Sequence, residues 1–222
     1  MFKDHAVEAV PVVVGTLNAL LRWAPARGRD GADLRSRVGM IQAEAERLLF
    51  NDAIGPPIAQ AFGLAVDMGI GVAEIDEIRR VTATYQPITS GAIVVKHCLI
   101  QLALVSIGRV IAFTKYRSRQ DVEAKKALIN ESFSAIAEAV ADQMDAMTYR
   151  AIVALHAAIS FYLIETARPL PQMMRYRFNI TMTTLQIAYR LYANAGRADE
   201  IRYENRVVHP AFARSSGVAL SA

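Results

Sequence analysis

Apolar residues recur at three- and four-residue spacing along almost the whole chain, and period-two alternation is nearly absent. That is the period of a helix face, so the sequence predicts an all-α fold, a helical bundle of about seven to nine helices. Between about Asp33 and Phe50, Val38, Ile41, Ala45, Leu48 and Leu49 share one face, with Arg35, Gln42 and Glu46 opposite. Ile75, Ile78, Val81 and Tyr85 form a similar stripe from about Val72 to Tyr85. The most apolar helix, from about Ala92 to Tyr116, is expected at the centre of the core. Further helices are expected at His5 to Trp23 with Asp4 as N-cap, Ile58 to Met68, from "RSRQD" to Met144, and Tyr149 to Ala167, where "RPLP" ends the pattern.

The stops between helices suggest an organisation. "APARGRDG" (24–31) and "QPITSG" (86–91) have the Pro and Gly content of loops. The second is the expected boundary between an N-terminal helical region, 1–86, and a main bundle, 87–222. After "RPLP", Met174, Tyr176, Phe178 and Ile180 alternate with Arg175, Arg177, Asn179 and Thr181, one short extended segment in a helical chain. A helix from about Thr184 to Ala195, a short helix "RADEIRYEN" and an extended C-terminal tail complete the sketch.

No membrane span is expected. The run Gly91 to Phe113 is interrupted by Lys96, His97, Gln101 and Arg109, and each charge near a bilayer centre costs ~2.5–3.5 kcal/mol. Asp4, His5 and Glu8 make the N-terminus unlike a signal peptide. The single cysteine, Cys98, excludes an intrachain disulfide, suits a reducing compartment and is expected to be buried in "VVKHCLIQLAL".

Enzymatic chemistry needs clustered acid, base or nucleophile groups, and the sequence offers none. His5, His97, His156 and His209 sit on separate elements without metal-ligand spacing. His97 and His156 are expected as core imidazoles bonded to a carbonyl or a facing side chain. Glu44 and Glu46 are two apart and cannot share a helix face, and Asp199 and Glu200 suit the first turn of a short helix. "GIG" at 69–71 lacks the strand and further glycines of a phosphate cradle. The expectation is therefore no enzyme, no metal and no cofactor.

The C-terminal quarter is different. From Arg168 onward, eight arginines face Asp199, Glu200 and Glu204, an excess of five positive charges in a chain of net +4. Together with Tyr176, Tyr189, Tyr192 and Tyr203, these arginines suit two kinds of partner. Nucleic acid would use arginine for phosphates and rings for bases, whereas a protein interface would use both as anchors. Protein contacts are favoured, because Tyr189 and Tyr192 fall beside Leu185 on what reads as the apolar face of their helix.

"YRSRQDVEAKKALINESF", "RPLPQMMRYRF" and "LQIAYRLYANAGRADEIRYENRVVHPAF" occur in that order between Tyr116 and Phe212. In order and spacing they resemble the C-terminal half of the DNA circularization protein family of tailed phages, especially those with contractile tails of the Mu type. The most specific part is Tyr189-Arg190-Leu191-Tyr192, then Arg197-Ala198-Asp199-Glu200, Asn205 and His209-Pro210-x-Phe212. Thr183 stands where the family commonly has proline. The resemblance implies a structural component of the virion tail or baseplate near the hub. Such a protein would contact other tail proteins and itself as a ring, in the virion and, during assembly, in the host cytoplasm. The expected interface residues are Arg175, Arg177, Arg190, Arg197, Arg202, Arg206, His209, Pro210 and Phe212. Gly196 is expected to allow the chain reversal, and the His-Pro-x-Phe segment to run extended into a neighbour. The alternative is a DNA-binding protein that uses the same Arg- and Tyr-rich quarter.

Overall fold

The computed structural model describes residues 2–25, 27–142 and 146–221, and its first helix, α1 (Lys3–Trp23), shows how spacing becomes packing. Ala6, Ala9, Val13, Leu17 and Leu20 lie three or four apart and are fully buried. Asp4 is not the cap. Phe2 holds that position, and Asp4 sits in the first turn, where the helix dipole favours a negative charge.

The helix expected from Asp33 to Phe50 is two helices, α2 (Gly28–Ala43) and α3 (Ala45–Phe50). The break falls at Glu44, whose φ of −108° and ψ of 9° leave the helical region. The start at Gly28 uses a φ of +70°, which only glycine adopts at little cost. Then come α4 (Gly55–Asp67), with prolines in its first turn, α5 (Val72–Ala83) and α6 (Ser90–Phe113). Helix α1 packs on α5, α6 and α3, and α2 packs on α4. Inside this bundle the buried Thr16 and Thr82 join α1 to α5 through hydroxyls 2.9 Å apart.

The expected boundary at 86–91 is instead a tight turn between packed neighbours. The Glu8 carboxylate accepts the backbone N–H groups of Ile88 (2.6 Å) and Thr89 (2.8 Å), and Lys96 Nζ donates to the Tyr85 carbonyl at 2.8 Å. Hydrogen bonds from Thr89 and Ile88 hold the Glu8 carboxyl below its ordinary value. The Tyr85 ring fills the space beside Gly15, where an added Cβ would lie 1.7 Å from its hydroxyl oxygen. Proline and glycine here mark a turn and not a linker. The chain divides elsewhere, into one unit of Met1–Thr114 with Leu128–Ile159 and a second of Lys115–Ala127 with Ser160–Ala222.

Two long helices, α7 (Arg119–Asp142) and α8 (Ala146–Ala167), contribute to both units. In the first unit, His156 Nε2 lies 2.9 Å from Asn130 Oδ1, and its ring stacks on Phe133 at 5.0 Å. His156 therefore meets a facing side chain as expected, although it is half-buried. On α5, Asp76 is 2% exposed, pairs with Arg79 (2.7 Å) and Arg80 (2.8 Å), and accepts Ser132 Oγ of α7 at 2.7 Å. Burial pushes its carboxyl up, but the Arg79 and Ser132 hydrogen bonds and the two guanidinium charges hold it below its ordinary value.

One sequence expectation fails on α6. Cys98 is exposed, because Leu99, Ile100, Ala103, Leu104 and Ile107 take the inward positions. In addition, α1, α6 and α8 are each long and apolar enough to cross a membrane by length and composition, so Lys96 and Arg109 do not remove α6 from that class. The all-α class holds: the described residues form ten α-helices, one 3-10 turn and one two-stranded sheet.

Candidate interaction surface

The second unit is built on the alternation that marked 174–181. Strand β1 (Met173–Arg177) pairs antiparallel with β2 (Ser216–Leu220), with Tyr176 opposite Gly217 and Arg175 opposite Val218. Successive side chains point to opposite faces. Tyr176 and Ala219 therefore enter a small core with Met182, Ile187, Ala188, Ile201 and Ala213, and Arg175 and Arg177 stay exposed.

Helix α9 (Thr184–Tyr192) opens with a capping box. Gln186 N donates to Thr183 Oγ1 at 3.2 Å, and Thr183 N to Gln186 Oε1 at 3.1 Å. A proline at 183 would supply neither its own donor nor the hydroxyl acceptor. Ile187 and Ala188 face the core. Leu185 and Tyr189, four residues apart, are 56% and 64% exposed, which corrects the expectation that Tyr189 is packed. Arg190 is exposed, with its guanidinium 5.8 Å from the Phe178 ring centroid. The helix ends at Ala193, in the left-handed region at φ 53°. Ala193 therefore makes the reversal expected of Gly196, which lies within the 3-10 turn Ala195–Arg197.

The polar residues of the Tyr-Arg-Leu-Tyr to Asn205 stretch hold the terminus down. Helix α10 (Ala198–Glu204) carries Asp199 and Glu200 in its first turn as expected. The Arg197 guanidinium donates to both Glu200 oxygens (2.9 and 3.1 Å) and lies 3.7 Å over the Tyr192 ring. The Tyr192 hydroxyl is 2.8 Å from the Leu220 carbonyl and 2.9 Å from Glu200 Oε1. Burial first, then the Glu200 carboxylate, push the Tyr192 phenol up to about 12 despite Arg197. Asn205 Nδ2 donates to the Val218 carbonyl and Asn205 Oδ1 accepts from the Val218 amide, both at 2.8 Å.

Of the nine expected interface residues, Arg175, Arg177, Arg190, Arg202, Arg206, His209, Pro210 and Phe212 are exposed, and Arg197 is half-buried in the clasp just described. Among the described residues, no ion pair engages Arg175, Arg177, Arg190, Arg202 or Arg206. Arg202 and Arg206 border an open depression of about 700 Å³ with Asp199, Tyr203, Glu204 and Val207. The His209-Pro210-x-Phe212 segment is a turn and not an extended tail, with Phe212 N donating to the His209 carbonyl at 3.0 Å. Proline's fixed φ suits the second position of such a turn. Beyond it the chain runs back along β1, so the part that is extended pairs with its own unit.

Sequence reasoning missed several participants. Arg117 stacks 3.7 Å over Tyr203, and Arg119 donates to the carbonyls of Leu170 (2.9 Å) and Arg168 (3.1 Å). Gln120 Oε1 accepts the Met173 amide at 2.7 Å. These come from "YRSRQD", 49 to 86 residues from their partners, and carry no local signal. Ile180 and Val208 were also missed as exposed side chains, whereas Tyr203, counted among the candidate rings, is exposed.

The second unit carries 13 Lys and Arg against 6 Asp and Glu, a net of +7, and the first carries 12 against 15, a net of −3. Among the described residues, no group of three or more His, Cys, Asp or Glu is placed to hold a metal ion. Compared with known proteins, the chain matches no family model and no curated protein.

Proposed function

We propose that this protein is a structural component of a phage tail or baseplate, hub-proximal, that works by protein–protein contacts in an oligomeric virion assembly. In this reading it has no catalytic role, and its partners are other tail proteins and further copies of itself. The reading rests on the likeness of the 116–212 segments to the DNA circularization family. The observation that carries it is the composition of the second unit's surface. Phe212 (75% exposed), Tyr189 and Val208 stand among arginines that lack ion pairs. Exposed aromatic and aliphatic side chains interleaved with arginine are what an interface anchor set contains. The clasp of Arg197, Glu200, Tyr192 and Asn205 supplies the rigidity such a surface requires.

The test is incorporation. The protein should be present in purified tail particles, and Arg175→Glu with Arg177→Glu should exclude it from them while the isolated chain keeps its helical circular dichroism. Absence of the wild-type protein from purified particles sinks the reading.

The surplus of +7 favours a second reading, DNA binding through the same arginines. It predicts that log K falls against log salt with a slope of about −4 to −5 for five phosphate contacts. No salt-dependent retention on duplex or single-stranded DNA removes it.

A further inference from the structure

Helix α8 carries two formal charges in 22 residues, Arg150 and Glu165, yet little of its most apolar stretch is covered. Ile152, Ile159 and Leu163 are buried on one side. On the opposite side Met147, Ala151, Ala154, Ala158 and Phe161 follow one another at alternating four- and three-residue steps, and all five are exposed. That spacing is the seam of a two-helix pair. We infer that this seam is the contact between two copies of the chain, packed with their α8 helices antiparallel about a two-fold axis near Ala154.

A second copy fits this face for three reasons. The order of side-chain sizes, large, small, small, small, large, reads the same in both directions. A two-fold contact requires this, since each residue must suit the partner position that its symmetry mate also occupies. Three alanines at the middle let the two backbones approach to the short end of the 8–10 Å range for packed helices, and Met147 of one copy then lies beside Phe161 of the other. The area also suffices. A 22-residue helix is about 33 Å long and 10–12 Å across, so its outward half offers roughly 600 Å². Two such halves remove about 1,200 Å², the threshold of a specific interface.

Lipid suits the face poorly. Helix α7 lies beside α8 through the Asn130–His156 and Phe133–His156 contacts and exposes Asn130, Glu131 and Glu138. A bilayer covering the outward side of α8 would also have to take in Arg150, which is exposed one turn from Ala154 on the same helix. This contact uses none of the residues of the virion reading and stands or falls apart from it.

The purified full chain, weighed by light scattering over a concentration series, should pass from 24.4 kDa to twice that mass. Ala154→Glu should hold it at the monomer mass at every concentration, with unchanged helical circular dichroism because Ala154 is exposed. In a Cys98→Ser background, Ala154→Cys should form a covalent dimer on mild oxidation, since a residue on the axis meets its own copy within the roughly 7 Å that a disulfide needs. Glu131→Cys in the same background should not. A chain that stays monomeric, a dimer that survives Ala154→Glu, or crosslinking at 131 as fast as at 154 would each overturn the inference.

Discussion

Asn205 bonds both backbone groups of Val218, giving Nδ2 to the carbonyl and taking the amide hydrogen on Oδ1, each at 2.8 Å. A side-chain amide thus does for β2 what a third strand would. The same Nδ2 reaches the Ile201 carbonyl at 2.9 Å, which fixes the strand to α10. Asn205→Ala should leave two part-buried backbone groups unpaired and cost about 2–3 kcal/mol. Asn205→Asp should recover at most half, because it keeps the acceptor but sets a carboxylate oxygen against the Val218 carbonyl. Chemical denaturation and amide exchange at Val218 measure both.

Gly217 is confined by the same clasp. A Cβ there would lie 2.2 Å from Asn205 Oδ1 and 2.6 Å from the Tyr176 hydroxyl oxygen. Neither can retreat freely, since Asn205 is bonded to Val218 and the Tyr176 ring is packed in the small core. Gly217→Ala should cost about 1–3 kcal/mol and speed exchange along β2, whereas Gly39→Ala, with nothing near its Cβ position, should not destabilise the fold.

Tyr192 links the clasp to alkaline pH. Its phenol is pushed up to about 12 in the fold from an ordinary value of 10. A raised value means that the neutral form is the one the fold favours, so its contribution is complete below pH 10 and is lost as pH rises toward 12. Tyr192→Phe should lose about 1–2 kcal/mol at neutral pH. The gap between wild type and variant should close between pH 10 and 12, followed by urea titration at each pH. A gap constant across that range contradicts the assignment.

The helices were legible because their period is local: Val38, Ile41, Ala45 and Leu49 are buried as their spacing predicts, and so are Ile75 and Ile78, although that stripe continues to Thr82 and not to Val81 and Tyr85. The alternation of Met174 to Thr181 likewise revealed β1. Its partner was hidden, because "SGVAL" is five residues long and shows no alternation until Tyr176 and Asn205 are placed against it. The domain boundary was misread because proline and glycine at 86–91 mark a turn equally well when the flanking helices pack together as when they separate. Tyr189 was misplaced for a related reason. On a nine-residue helix Leu185 and Tyr189 make as good a stripe as Thr184, Ile187, Ala188 and Leu191, and only the position of β2 decides which faces inward. The arginine surplus could be counted in advance, but the assignment of Arg197 to an internal ion pair needed the fold.

Glu204 provides a test of the opposite sign to an ion pair. Burial first, then the Asp121 and Glu200 charges, raise its carboxyl above its ordinary 4.5, and Arg117 opposes them only in part. A raised carboxyl is better tolerated protonated, so stability is gained below pH 4.5 and lost as pH climbs through the folded value. At pH 7 the charge is a burden. Glu204→Gln should raise Tm by about 1–3 °C at neutral pH, with the advantage gone at pH 4 by calorimetry. Destabilisation at neutral pH would mean that the attraction to Arg117 outweighs the burial and the two carboxylates.

The pair His209 and Phe212 separates assembly from folding. Their rings stand 5.4 Å apart across the turn that Pro210 shapes, and Phe212 is 75% exposed. Truncating an exposed ring removes little intramolecular contact, so His209→Ala with Phe212→Ala should shift the melting temperature of the isolated chain by no more than about 1–2 °C. Loss of an interface anchor is a different matter, typically 2 kcal/mol or more, or about thirtyfold in affinity. If this turn docks on a tail partner, the double variant should melt almost normally and yet be depleted from assembled particles. A large fall in melting temperature would mean that the turn braces its own unit, and normal incorporation would place the docking surface elsewhere on the chain.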